Sequence, residues 1–175
     1  MNLTPEAYTV RRTTHEDVDT VMEIINLAKE DMKAAGSDQW QKGSPNAEMI
    51  HHDVDAKKSY VLTDADGSIQ GTAFISAETE PTYLHIHNGS WRFDAPYTVI
   101  HRIAVRRSER GRGLASYLIR YAIAYSKEAG VNHLRIDTHP MNIPMQHFLA
   151  RSGFSYRGEI DTPEGLRIAY DYQID

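Results

Sequence analysis

Four arginines and two glycines crowd into residues 106–113 of this chain, as Arg106, Arg107, Arg110, Gly111, Arg112 and Gly113. They follow the apolar run Ile103-Ala104-Val105 and precede Leu114-Ala115, where an amphipathic stretch begins. Strand, turn and helix start, in that order, leave backbone N–H groups unpaired at the positive end of a helix dipole. Such a corner suits a phosphate or pyrophosphate. Glycines at 111 and 113 remove side chains that would hold a ligand away from the backbone, and the arginines add positive charge. Just upstream, His101 precedes Ile103 and Val105 by two and four residues, so strand alternation puts all three on one sheet face. A histidine, with its ordinary pKa of ~6.5, suits the acceptance of a proton near neutrality. A packed histidine bonded across the sheet is the alternative reading of the same residue.

Two nucleotide-binding motifs fail against this turn. Gly111-Arg112-Gly113-Leu114-Ala115-Ser116 lacks the third glycine of a dinucleotide fingerprint, and no lysine follows the glycines as a Walker A loop requires. The pattern Arg110-x-x-Gly113-x-Ala115 after a strand instead resembles the R/Q-x-x-G-x-G/A signature of the GNAT acetyltransferase superfamily. A second local match is Asn142, eleven residues before Gly153-Phe154. The resemblance implies acetyl-CoA as co-substrate, its pyrophosphate on the turn amides and its pantetheine along a strand that splays from its neighbour. The residues it implies for the coenzyme are Ile103, Ala104, Val105, Arg110, Gly111, Arg112, Gly113, Leu114, Ala115 and Asn142. A helix N-cap accounts equally well for Asn142.

The elements that must position these residues can be read from apolar spacing. Tyr8–Arg12 forms a short strand, and Thr14 with Asp17 makes a capping-box-like start to a helix carrying Val18, Val21, Met22, Ile25 and Ala28, stopped by Gly36. Ser44-Pro45 signals the start of a second helix with Met49, Ile50 and Val54 as its stripe. Ser59–Thr63 and Ile69–Ala77 form a hairpin around Asp64-Ala65-Asp66-Gly67. Breakers from Glu78 to Pro96 mark a long irregular excursion beside the site. A strand from about Tyr97 to Val105, a helix from Leu114 to Ala129, a strand at His133–Thr138 and a short helix capped by Asn142 follow. A hairpin of Phe154–Glu159 and Leu166–Ile174 ends the chain. This order gives an α/β (α+β) fold, a mixed central β-sheet flanked by helices on both faces, in one domain spanning residues 1–175. It is also the order of the GNAT fold.

Composition sets the outer limits. The 175 residues suffice for one substantial core, and 41% hydrophobic with 25% charged residues is ordinary for a globular domain. A net charge of −5 argues against general affinity for nucleic acid or an anionic membrane. The absence of cysteine removes disulfides, thiolate metal sites and a covalent cysteine intermediate. No apolar run approaches the roughly 18 residues that span a membrane. The stretch MNLTPEAYTV lacks the apolar core of a signal peptide, so a cytoplasmic location is the default expectation.

The chemistry implied by the resemblance is transfer of acetyl from acetyl-CoA to a primary amine, directly within a ternary complex. His101 is the candidate general base, at the strand position where arylalkylamine acetyltransferases of the superfamily carry a catalytic histidine. Many members place a tyrosine four residues before the Gly-Phe pair as acid for the CoA thiolate. Here that position holds Leu149, with Phe148 beside it. Tyr156 is the candidate substitute, against a plain packing role. The acceptor pocket is expected near Gln39, Trp40 and Trp91, whose aromatic walls suit an apolar or aromatic amine. Glu78 and Glu80 would attract a cationic amine, though a solvated loop accounts for both. His85-x-His87 lacks a third ligand at motif spacing, and His51-His52 points to opposite sides of a helix, so no metal is expected. The expected partner is a small-molecule or peptide amine; dimers are common in the family, and a homodimer fits the resemblance. The leucine at 149 leaves an alternative, a CoA-binding sensor that lost its chemistry.

Overall fold

The computed structural model describes residues 7–175; the first six residues of the stretch read for a signal peptide lie outside them. One eight-stranded sheet organises the chain. Its strands are β1 (Tyr8–Arg12), β2 (Ser59–Asp64), β3 (Ile69–Ser76), β4 (Ile86–His87), β5 (Thr98–Val105), β6 (His133–Thr138), β7 (Ser155–Thr162) and β8 (Gly165–Gln173). In space they run β1-β2-β3-β5-β6-β8-β7-β4. Every pairing is antiparallel except that of β5 with β6.

Helices α1 (Val18–Ala34) and α2 (Ala47–Asp55) cover one face, and α3 (Ala115–Glu128) and α4 (Ile143–Arg151) the other. Val21, Ile24 and Ile25 of α1 pack with Val61 and Ala104 of the sheet. On the opposite face Leu118 and Ala122 of α3 and Leu149 of α4 meet Leu62, Ile75, Ile100 and Ile136. A third cluster, Tyr83, Tyr97, Val99, Ile160 and Ala169, sits under the irregular segment between β3 and β5.

Several boundaries moved for identifiable reasons. Thr14 and Asp17 form their box, with the Thr14 amide donating to Asp17 at 2.7 Å, but the turn they open is a 3-10 turn, His15–Asp17, that leads into α1. Ser44-Pro45 does not start α2. Asn46 is the cap, its side chain accepting from the Met49 amide at 2.9 Å, while Ser44 donates to Glu164 at 2.7 Å. The closing hairpin is longer than its pattern suggested, reaching Thr162 and Gly165 around Pro163-Glu164.

The expected common face of His101, Ile103 and Val105 is broken by a β-bulge. Phe74 pairs with His101 and Thr72 with Ala104, so Ala73 of β3 opposes both Arg102 and Ile103 of β5. Arg102 takes a φ of 54° to absorb the extra residue. One inserted residue reverses the parity of everything beyond it. Ile103 and Val105 therefore join the face of α3, with Ile100. His101 stays on the other face against Phe74 and Tyr83, with ring centroids 5.6 and 5.9 Å away.

Candidate functional site

Strands β5 and β6 pair only at Thr98–Leu134 and Val99–Arg135 and then diverge. Beyond Val99 the facing edges have no ladder partner, and two cavities open along the cleft. The first, about 520 Å³, is lined by Ile103, Ala104 and Val105, by Arg110, Gly111, Gly113, Leu114 and Ala115, and by Asn142, Met145, Phe148 and Arg151. The second, about 440 Å³, holds Gln39, Trp40, Glu80, His101, Asp137 and Thr138. Met32, Ile103, Asn142 and Met145 line both, so ligands filling the two would meet there.

The first cavity is a backbone site. Among the described residues no acceptor is found for the amides of Gly111, Arg112, Gly113, Leu114 or Ala115; the first bonds of the helix start run from Ser116 and Tyr117 to the carbonyls of Gly113 and Leu114. Gly111 and Gly113 hold φ of 79° and 75°, a region glycine occupies without strain. A Cβ at Gly113 would find nothing nearer than the Ser116 hydroxyl at 4.0 Å, so the space above the amides is open. Orphan amides, a helix dipole and a free strand edge fit a diphosphate followed by an amide-bearing chain.

The arginines divide around this turn. Arg107 is drawn to α1, bonding Asp31 at 2.9 Å and Glu30 at 3.2 Å. Arg110 also pairs with Asp31. The Arg107 and Arg110 hydrogen bonds hold the Asp31 carboxyl below its ordinary range. Arg106 donates to the Ile69 carbonyl, and Arg112 pairs with Glu109 and lies outside the cavity lining. Arg110 is therefore the charged member of the cluster that faces the cavity. Arg151, at the end of α4, also lines it and carries no sequence signal of its own.

Side chains from distant segments build the second cavity. The ring of His101 lies between two carboxylates, with Nε2 3.2 Å from Glu80 and Nδ1 3.8 Å from Asp137. Glu80 sits at the start of a 3-10 turn, Pro81–Leu84, whose Thr82 hydroxyl also donates to it at 3.0 Å. The bond from His101 holds the Glu80 carboxyl at about 2, against the opposing push of burial. Buried Tyr83, from the same turn, donates its hydroxyl to Asp137 at 2.6 Å. Burial and the Asp137 charge push that phenol well above its ordinary value. Of the two glutamates offered either to a cationic amine or to a solvated loop, Glu80 lines the cavity and Glu78 does not, while Asp137 and Tyr83 carry no motif in the sequence. The parity of His133–Thr138, which sets Asp137 opposite Leu134 and Ile136, was the available signal for one of them.

Two expected site residues lie elsewhere. Tyr156 is half exposed on β7, edge-on to Tyr170, and lines neither cavity, so it has no access to a sulfur in the cleft. Trp91 is a structural anchor outside the second cavity: its Nε1–H donates to the Tyr83 carbonyl at 2.9 Å and Arg135 lies over its ring. Gln39 and Trp40 do line that cavity. Gln39 accepts from the Asn142 amide group at 3.1 Å, while Asn142 caps α4 by accepting from Met145, so cap and cavity wall are the same side chain. Leu149 is wholly buried in the core, and α4 presents Met145 and Phe148 to the cleft. No proton donor stands at the usual tyrosine position.

His87 bonds Asp161 at 3.0 Å, and no group of three or more His, Cys, Asp or Glu among the described residues is arranged to hold a metal. No helix among them is long and apolar enough to cross a membrane.

Known proteins with this geometry agree in kind. A crystal structure of a GNAT-family acetyltransferase from Streptococcus agalactiae superposes with a TM-score of 0.87 at 32% identity over 96% of each chain. A putative acetyltransferase from Salmonella typhimurium, solved with its cofactor acetyl-CoA, shares the fold at a TM-score of 0.66 and 16% identity, over 97% of this chain and 95% of that one. Streptothricin acetyltransferase of Streptomyces lavendulae is 28% identical over 106 residues, 61% of this chain. The chain spans about half, 48%, of that relative's length. The splayed strands, the amide-rich turn and the match of residues 21–154 to the acetyltransferase (GNAT) family model lead to one assignment: this chain belongs to the GNAT family.

Proposed function

We propose that the protein is an N-acetyltransferase that moves acetyl from acetyl-CoA to a primary amine, both bound at once. The observation that carries this reading is the meeting of the two cavities at Ile103, Asn142 and Met145, with a His–carboxylate pair on the acceptor side only. Bound coenzyme supplies the acetyl group as an activated thioester. Arg110 and the amides of residues 111–115 hold its diphosphate, and the free edge of β5 aligns the chain that follows. Alignment of two reactants in one cleft can contribute up to roughly 7–11 kcal/mol.

The remaining task belongs to the acceptor wall. An alkylamine near pKa ~10.4 arrives protonated and must lose that proton before it attacks. Ionised Glu80 can only accept a hydrogen bond, so in the neutral ring Nε2 of His101 carries the proton and Nδ1 is the free base. Nδ1 faces Asp137 across 3.8 Å, too long for a direct bond, and an amine lying to one side of that line reaches both with separate N–H groups. His101 takes the first proton, the neutral amine forms the C–N bond as the C–S bond breaks, and the second proton lost by that nitrogen passes to the departing sulfur, directly or through water. A thiolate with pKa ~8.5 departs without a dedicated acid, consistent with Leu149 and Phe148.

The test is thiol release by the purified protein from acetyl-CoA with a panel of primary amines. Release that depends on the amine and falls in His101→Ala supports the transferase. Coenzyme binding without release by any amine would favour the sensor alternative.

A further inference from the structure

The charges around His101 restrict which amines fit. Glu80 and Asp137 flank the ring, and among the described residues neither is paired with an arginine or lysine. Two arginines line the same cavity, and each is paired with a carboxylate of its own, although the buried Nε of Arg102 has no partner among the described residues. Arg102 pairs with Asp53 of α2 and lies over the Phe74 ring, and Arg167 is bonded to the Leu166 carbonyl at 2.9 Å and to Glu164 at 3.5 Å. The end of the cavity where the amine must react thus carries two carboxylates, and among the described residues each arginine lining the cavity is already balanced by a different carboxylate. Resting on the transferase reading above, we propose that the acceptor is an alkylammonium compound whose amine-bearing carbon carries no carboxylate.

The geometry explains the restriction. An amine placed to give its proton to Nδ1 of His101 lies within bonding reach of Asp137, and its ammonium form is attracted by both carboxylates. A carboxylate on the adjacent carbon of an α-amino acid would travel with that amine to the same wall. It would face Glu80 and Asp137 as a like charge, stripped of water and without a partner. The Glu80 carboxyl stays ionised throughout the neutral range, so the repulsion is not relieved by protonation there. The rest of the acceptor meets Trp40, Met49 and Pro163, a wall suited to an apolar or aromatic body.

Tyramine, L-tyrosine and L-tyrosinamide isolate the effect, because they share a body and differ at the carbon in question. Thiol release from acetyl-CoA gives kcat/KM for each, and calorimetric titration into the protein with CoA present gives their affinities. Tyramine and tyrosinamide should both exceed tyrosine by at least about tenfold in either measure. Asp137→Asn keeps an oxygen for the Tyr83 hydroxyl while removing one charge, and should narrow that ratio. Tyrosine equal to or better than tyrosinamide would overturn the proposal, as would failure of both tyramine and tyrosinamide to bind. If the affinity order holds while none of the three releases thiol, the selectivity of the pocket for such amines stands and the transferase reading falls. If thiol is released without the order, the reverse holds.

Discussion

The two cavities of the cleft are built on opposite principles. The first, which we assign to the coenzyme, is a local, main-chain device: a strand, a turn and a helix start, consecutive from Ile103 to Ala115, in which the amides of residues 111–115 have no acceptor among the described residues. The second, which we assign to the acceptor, is assembled from side chains on separate elements, Trp40 after α1, Glu80 and Tyr83 before β4, His101 on β5 and Asp137 on β6. Backbone recognition tolerates changes of residue type so long as the turn keeps its shape. Side-chain recognition depends on each identity and on the register that brings them together.

That difference predicts unequal failures. Gly113→Leu should produce the largest. At a φ of 75° an L-residue is strained by about 1–3 kcal/mol, which a surface turn absorbs, and the new Cβ meets nothing within the fold closer than 4.0 Å. The side chain instead occupies the space over the orphan amides. Loss of two or more charge-assisted bonds to a diphosphate corresponds to on the order of 100-fold in affinity. Calorimetry with CoA measures it, and circular dichroism should show the fold retained. Unchanged affinity would mean that the diphosphate lies elsewhere.

On the acceptor side, His101→Ala should lower kcat by roughly 10²–10⁴-fold with coenzyme affinity little changed, and remove the acidic limb of the pH–rate profile. Its partner gives a second readout in stability. The Glu80 carboxyl titrates at about 2 in the folded chain against an ordinary 4.5. A depressed carboxyl contributes stability that is full above 4.5 and is lost as pH falls toward 2. Because Glu80 is a quarter exposed, on the order of 1–2 kcal/mol is expected. Glu80→Gln should therefore be less stable than the parent at neutral pH and equal to it at the acid end. Parallel denaturation curves across that range would show that the pair stores no such energy.

The same contrast explains what could be read from the chain. Arg110-x-x-Gly113-x-Ala115 is legible because the strand, turn and helix start it marks are consecutive in the chain, and the element order implies the sheet and its two covering layers. The bulge at Arg102 was not, since an inserted residue leaves no mark on the apolar pattern until the pairing with Thr72 and Phe74 is known. His101 is singled out by its type, but the bulge separates it from Ile103 and Val105, with which strand alternation would have it share a face. Glu80 and Asp137 become visible as a pair only when the turn at Pro81–Leu84 docks Tyr83 against β6. Tyr156 and Trp91 show the converse: aromatic residues near a motif in sequence that the fold carries away from the cleft.

The smallest expected effect is also the one that most directly separates stability from function. Thr138, the last residue of β6, is 1% exposed, lines the acceptor cavity, and its hydroxyl has no hydrogen-bond partner among the described residues. A buried, unpaired hydroxyl costs about 1–3 kcal/mol, and ordinary packing would replace it with a methyl group. Thr138→Val makes that replacement at nearly the same shape. The variant should be more stable by about 1 kcal/mol, raising Tm by about 2–4 °C. If the hydroxyl is kept to meet a ligand in the cleft, kcat/KM for the amine should fall several-fold in the same variant, the two changes having opposite signs. A lower Tm with unaltered kinetics would instead assign the hydroxyl to the fold, and would leave the acceptor wall to Glu80, His101 and Asp137 alone.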